Sequence, residues 1–223
     1  MGLLRLNKIV VKNIILITIL LSGSGSCTSQ KNEIIAKSTI KLEGVNTNIN
    51  DLININGYYS NAEFGAGVRS NLIFFADGTY VWQFGFKKDA VEDSIANNIG
   101  KWIRTWIEDG QIRWGNYWGV YRIEGDIIIG NSFVKNSFWK GWSFDEERYK
   151  IIYNSTIEKI YLKSLLKSSE SYYNSHSTYM SDFFQFIPAD SLPSSNCWLK
   201  EEKWIWRNEE DWKSYMDRIK TKE

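Results

Sequence analysis

From Ile53 onward the chain alternates apolar and polar positions at period two, with turn residues at short intervals. Asn71 to Phe86 reads NLIFFADGTYVWQFGF, two β-rich runs flanking Asp77-Gly78, a pair suited to a two-residue hairpin. After that turn Tyr80, Trp82, Phe84 and Phe86 share one face, and Val81, Gln83 and Gly85 take the other. Gly100 to Glu108 puts Trp102, Arg104 and Trp106 on one face, and Asp109-Gly110 turns the chain back into Gln111 to Trp114. Tyr117 to Glu124 and Asp126 to Phe133 flank Gly125. Phe138 to Phe144, Arg148 to Tyr153 and Thr156 to Leu162 continue the series, with Asn154-Ser155 as a turn, and Asp182 to Ile187 is a late strand. Short connections make neighbouring strands antiparallel, and a meander this long closes to remove its edges. The expected fold is mainly β, an antiparallel up-and-down barrel of about eight to ten strands. Several strands are apolar on both faces, so the outer wall needs cover.

The pattern stops at both flanks. Residues 28–52 are polar, Asn-rich and weakly patterned, and are expected to form a flexible tether with at most a short strand at Ile34 to Ile40. Residues 164–179 read as a long polar loop, and Pro188 and Pro193 bracket a turn. From Asn208 the period changes to that of a helix: Trp212, Tyr215, Met216 and Ile219 form an i, i+3, i+4, i+7 stripe. Asn208 is its expected cap, Glu209, Glu210 and Asp211 suit its first turn, and the stripe is expected to pack on the barrel.

The first residues carry an address. Arg5, Lys8 and Lys12 precede an apolar run, Asn13 to Leu21, that is too short to span a bilayer. Ser24-Gly25-Ser26-Cys27 then resembles the lipobox of bacterial lipoproteins, in relaxed form with Ser where Leu is usual. Relaxed lipoboxes are common in the Bacteroidota, which the Ile/Asn/Lys-rich sequence suits. The resemblance implies cleavage before Cys27 and acylation of Cys27, palmitate-type chains holding the protein in the cell envelope, at the outer membrane or its periplasmic face. The other reading is a cleaved secretory signal with Cys27 near the new N-terminus. The organisation is then a signal (1–26), a lipidated Cys with its tether (27–52), a barrel (53–207) and a helix (208–223).

Processing alters the charge. The whole chain carries 27 Lys+Arg against 26 Asp+Glu, a formal +1, and the signal removes three basic groups and no acid, leaving −2. Neither balance suits a nucleic-acid binder, whose affinity rests on neutralising phosphates. One His and two Cys make a His/Cys metal centre untenable, so no metal or cofactor is expected. With Cys27 acylated, Cys197 has no partner, and beside Trp198 and Leu199 it reads as a buried small hydrophobe.

Ala76-Asp-Gly-Thr-Tyr80, Gly100-Lys-Trp102 and Gly119-Val-Tyr-Arg-Ile-Glu-Gly-Asp-Ile-Ile128 together resemble the lipocalin-like (calycin) barrels of bacterial lipoproteins. Gly57-Tyr58-Tyr59 sits where lipocalins carry a first-strand Gly-x-Trp. The resemblance spans about residues 53–165 and implies a barrel able to carry a small apolar or amphipathic ligand; its motifs concern turns and packing, so they speak to fold first.

No phosphate loop, dinucleotide fingerprint or Gly-x-Ser-x-Gly elbow is present, no nucleophile–base set emerges, and an enzyme is not expected. His176, in a polar stretch, reads as a solvated loop residue. Asp145-Glu146-Glu147 could supply paired carboxylates or Ca²⁺ ligands, but between two expected strands it reads as a charged, solvated turn. The chemistry of interest lies in the rings. Tyr80, Trp82, Phe84, Trp102 and Trp106 either fill the barrel as core or line a cavity; Arg104 either snorkels or holds a ligand's anionic group. Two other classes remain: a glycan-binding surface built from Trp139, Trp142, Trp204 or Trp206, and an assembly lipoprotein meeting an unknown protein partner through Trp198 to Trp206 (WLKEEKWIW).

Overall fold

The computed structural model describes residues 29–44, 47–61, 68–87, 116–135, 142–166, 183–189, 192, 195 and 197–221. Eight strands, β1 (Gly57–Ser60), β2 (Val68–Phe74), β3 (Thr79–Lys87), β4 (Asn116–Glu124), β5 (Ile127–Lys135), β6 (Trp142–Tyr153), β7 (Thr156–Ser164) and β8 (Phe183–Pro188), follow one another around a closed barrel. All neighbours are antiparallel, and β1 closes on β8 with Gly57 opposite Pro188 and Ser60 opposite Gln185. Closure gives every strand a paired neighbour on each side, as the meander demanded.

The turns form where their residues can adopt them. Gly78 has φ +87°, and the Asp77 carboxylate accepts from the Thr79 backbone N–H at 3.1 Å and from its hydroxyl at 2.6 Å, fixing the β2–β3 hairpin. Gly125, φ +63°, turns β4 into β5. These hairpins and the 154–155 turn between β6 and β7 lie at one end of the barrel. The long connections, 61–67, 88–115, 136–141 and 165–182, leave from the other. Expected strands at Gly100 to Glu108 and Gln111 to Trp114 lie outside the described residues, as do Trp102, Arg104, Trp106, Trp139, His176 and Cys27.

Alternation divides the wall into two separate cores. Inside, Tyr59, Leu72, Phe74, Tyr80, Trp82, Tyr121, Ile128, Tyr149, Ile157 and Phe184 pack together, and Ile49 and Ile53 close the hairpin end. Outside, Tyr58, Ile73, Val81, Trp118, Val120, Ile129, Phe133, Trp142 and Phe144 meet a second apolar layer. Ile34, Ile40 and Leu42 from before the barrel and Cys197, Leu199, Ile205 and Trp206 from after it form that layer. Each fully buried large side chain contributes about 1.5–3 kcal/mol, so this cover is an integral part of the domain.

The expected tether is therefore corrected. Residues 29–37 form a helix, α1, and the chain then runs down the wall. Leu42 forms a parallel bridge with Trp206: its N–H donates to Ile205 O and its carbonyl accepts from Arg207 N, each 2.8 Å. Thr47 N–H then donates to Ala76 O at the β2–β3 turn, and a 3-10 turn, Ile49–Asp51, enters the barrel end. The physical reason is spacing: Ile34, Ile40, Leu42 and Ile49 are few, yet each lands on an apolar site, with exposures between 0% and 3%.

At the other terminus, 3-10 turns Trp198–Glu201 and Lys203–Ile205 lead into the helix α2 (Glu209–Lys220). Asn208 caps it, its side-chain oxygen accepting from Asp211 N at 2.8 Å. Trp212, Tyr215, Met216 and Ile219 are its half-buried face; the Trp212 indole donates to Glu201 O at 3.0 Å, and Tyr215 meets the Trp206 ring at 5.6 Å between centroids. Among the described residues no helix is long and apolar enough to cross a membrane.

Candidate functional site

The interior changes character along its axis. At the hairpin end it is filled. Phe74 stands at the centre of an aromatic cluster, 5.7 Å from Tyr80, 5.6 Å from Tyr121 and 6.1 Å from Tyr149 between ring centroids. Tyr59 and Phe186 add a further pair at 5.4 Å. The Tyr59 hydroxyl donates to Asn154 O and the Tyr121 hydroxyl to Phe75 O, so both phenols stay satisfied at the barrel floor.

Above this floor lies a polar layer. β6 runs unbroken from Trp142 to Tyr153, and its inward positions are Asp145, Glu147, Tyr149 and Ile151. The charged turn expected at Asp145-Glu146-Glu147 does not exist. Alternation sends Asp145 and Glu147 inward, at 1% and 0% exposure, while Glu146 faces outward and pairs with Arg148 at 2.7 Å. The carboxylate of Glu147 is fully engaged. Its Oε1 accepts from Lys159 Nζ at 2.9 Å, and its Oε2 accepts from the hydroxyls of Tyr80 and Tyr149, each at 2.9 Å. Lys159 points inward from β7, with its ammonium 4.6 Å from the centroid of the Trp82 ring. One step nearer the loop end, Ser132 on β5 and Ser164 on β7 stand opposite Asp145 and are also buried.

Two glycines make this arrangement possible. A Cβ on Gly119 would come within 2.2 Å of the Tyr80 ring, and one on Gly130 within 2.7 Å of its hydroxyl. Both wall positions must lack a side chain for Tyr80 to lie flat and reach Glu147. Burial, and next the charge of Glu147, push the phenols of Tyr80 and Tyr149 well above the usual tyrosine range, so both remain hydrogen-bond donors. A β-bulge at Ile160 lets β7 keep both Lys159 and, beyond the bulge, Leu162 and Ser164 on the inner side.

Among the rings expected to form the site, Tyr80 and Trp82 are brought together inside the barrel. Tyr80 belongs to the filled floor and Trp82 to the polar layer above it. Phe84 lies on β3, and its side chain is outside the described set. The residues missed are Glu147, Lys159, Tyr149 and Ser132. The period-two phase of Tyr149 with 147 and 145 was the signal that could have found two of them.

The outer wall places most of the rings named for the two surface alternatives. Trp142 and Trp206 are 7% and 8% exposed, the first against Trp198 and the second donating its indole N–H to Lys200 O. Trp204 lies edge-on to Phe133 and beneath Lys41. These rings pack against the barrel and its cover, so they form no exposed stacking platform. The segment Trp198 to Trp206 is itself the cover: Leu199 and Ile205 are fully buried, and Lys200 is held by Asp77 and by Ser195 O at 2.7 Å. Cys197 is 1% exposed, and burial pushes its thiol far up, so it is an inert core residue.

Among the described residues no three His, Cys, Asp or Glu side chains gather as a metal-binding set. The chain is thus a mainly-β protein built on a closed eight-stranded up-and-down barrel with a C-terminal helix. Comparison with family models, with curated proteins and with solved structures finds no match.

Proposed function

We propose that the protein is a lipocalin-like, non-catalytic lipoprotein of the cell envelope, anchored through acylated Cys27, whose barrel binds a small amphipathic ligand. The observation that carries this reading is the buried Glu147–Lys159 pair, with side-chain exposures of 0% and 8%. Desolvating two charges costs several kcal/mol, and well-packed hydrophobes serve a purely structural barrel equally well or better. An eight-stranded barrel has room for its own side chains or for one small ligand. Here the floor is filled by rings while the layer above it presents an ammonium, buried carboxylates and hydroxyls. A ligand's polar group meets that layer, with the Trp82 face beside it, and its apolar part extends toward the loop end. The motifs Ala76 to Tyr80 and Gly119 to Ile128 support the same reading, since they build the walls of this site.

The test is direct. An organic extract of protein purified from its native membrane, analysed by mass spectrometry, is expected to contain one stoichiometric amphiphile. Delipidated protein is expected to bind a fluorescent long-chain fatty acid or lysophospholipid saturably. An empty extract together with no saturable binding of either probe shows that the barrel is simply full. Anchoring is tested by labelling cells with an alkyne fatty acid: label on the wild type and none on Cys27→Ala is expected.

A further inference from the structure

The docking of α1 fixes which end of the barrel an anchor at Cys27 would hold against the membrane. Gln30 accepts through its side-chain oxygen from Trp142 N at 3.2 Å, and Trp142 is the first residue of β6 at the loop end. At the other end of α1, Lys37 donates to Leu165 O at 2.6 Å, just beyond the last residue of β7 and again at the loop end. Between them Ile34 is 1% exposed in the outer core, and Lys31 pairs with Glu202 at 3.0 Å. The helix therefore lies along the loop-end rim on contacts at each of its turns. Only after Ser38 does the chain descend the wall to reach the hairpin end at Thr47.

Cys27 precedes Gln30 by three peptide links, which reach about 11 Å at full extension. The barrel is longer than that: strands of nine residues rising about 3.3 Å each and tilted as in small barrels put roughly 20 Å between its ends. An acyl group on Cys27 can therefore bring the loop-end rim to the bilayer surface but cannot bring the hairpin end there.

We infer that the protein sits with the loop end of its barrel facing the lipid surface and the plugged hairpin end facing away. The inference rests on acylation of Cys27 and deepens the ligand reading. A loop end apposed to the bilayer meets amphiphiles headgroup first, and the interior behind it presents the polar layer above a packed floor. The ligand source is then the bilayer, an acyl-chain lipid or lysolipid passing into the barrel without crossing water.

The test uses the full-length lipidated protein in vesicles of phosphatidylethanolamine and phosphatidylglycerol carrying a spin-labelled headgroup lipid. Single fluorophores are attached at Lys163→Cys, exposed on β7 at the loop end, or at Tyr153→Cys or Asp126→Cys, exposed at the hairpin end. Cys197 is buried and will not compete for label under native conditions. Quenching at 163 with none at 153 or 126 is the expected result. Equal quenching at all three, or quenching at the hairpin end alone, overturns the orientation. Intact mass of the same preparation reports the acyl group independently. Unmodified Cys27 overturns the inference through its premise, whereas an acylated protein with the wrong quenching pattern overturns the orientation alone. Transfer gives a second readout: a fluorescent lysolipid is expected to move from vesicles to anchored protein at a rate independent of vesicle dilution, and a rate that falls with dilution overturns direct passage.

Discussion

Replacing Lys159 and Glu147 singly and together separates what the buried pair does for stability from what it does for a ligand. In Lys159→Met the carboxylate of Glu147 remains at 0% exposure with only the hydroxyls of Tyr80 and Tyr149 for company. Breaking a buried pair this way costs about 3–5 kcal/mol. Glu147→Leu is worse, because it strands an ammonium and also two phenol donors, each unmet donor adding about 1–3 kcal/mol. The double variant removes both charges and leaves only the phenols unsatisfied. It is therefore expected to be more stable than Glu147→Leu alone, with a coupling of at least about 2 kcal/mol in the cycle. Equilibrium urea unfolding reads this as midpoint shifts at unchanged m-value. The double variant should still lose saturable binding of the fatty-acid or lysophospholipid probe, since neither member of the pair remains to meet a headgroup. Single costs that add to within about 0.5 kcal/mol would refute the claim that the two groups act as a dry, coupled pair. Binding that survives in a folded double variant would refute their role as the polar layer of the site.

The remaining expectations are smaller. Gly119→Ala and Gly130→Ala drive a methyl into Tyr80, and each should lower stability by about 1–3 kcal/mol by overpacking. Gly125→Ala meets nothing within 4 Å and should cost only the roughly 1 kcal/mol of its left-handed backbone, as thermal unfolding would show. Tyr59, Tyr80, Tyr121 and Tyr149 are all held above the usual phenol range by burial. Because the folded values lie above the unfolded one, their contribution is whole below about pH 10 and falls as pH rises past it. Phenolate absorbance from these four should therefore appear together with alkaline unfolding, and a smooth titration of all twelve tyrosines in folded protein would contradict the burial. Removing residues 208–223 uncovers Trp206 and the 3-10 segment, and should lower the melting temperature; an unchanged value would show that α2 is not part of the cover.

The barrel is legible because its signals are local. Asp77-Gly78, Gly125 and Asn154-Ser155 each mark a hairpin, and alternation between them assigns faces without knowledge of the rest. The need for an outer cover is legible too, since Val81 and Val120 are apolar on the face opposite Tyr80 and Tyr121. What forms the cover is not. A nine-residue helix carrying one buried Ile has no periodicity of its own, and α1 exists because Ile34, Gln30 and Lys37 find partners far along the chain. The site was hidden by its own chemistry. Three consecutive acids look like a solvated turn, because the desolvation that would forbid them in a strand is offset by Lys159 and Tyr80 from other strands and by Tyr149 two residues on.

The bridge between Leu42 and Trp206 has a consequence for how the protein is made. Leu42 finds its place only against Trp206, far downstream, and β1 likewise waits for β8. A nascent chain emerging from the ribosome can form isolated hairpins, but neither the sealed wall nor its outer coat can be completed early. Closure of the wall and seating of its coat are therefore late, concerted events that wait on contacts between segments far apart along the chain.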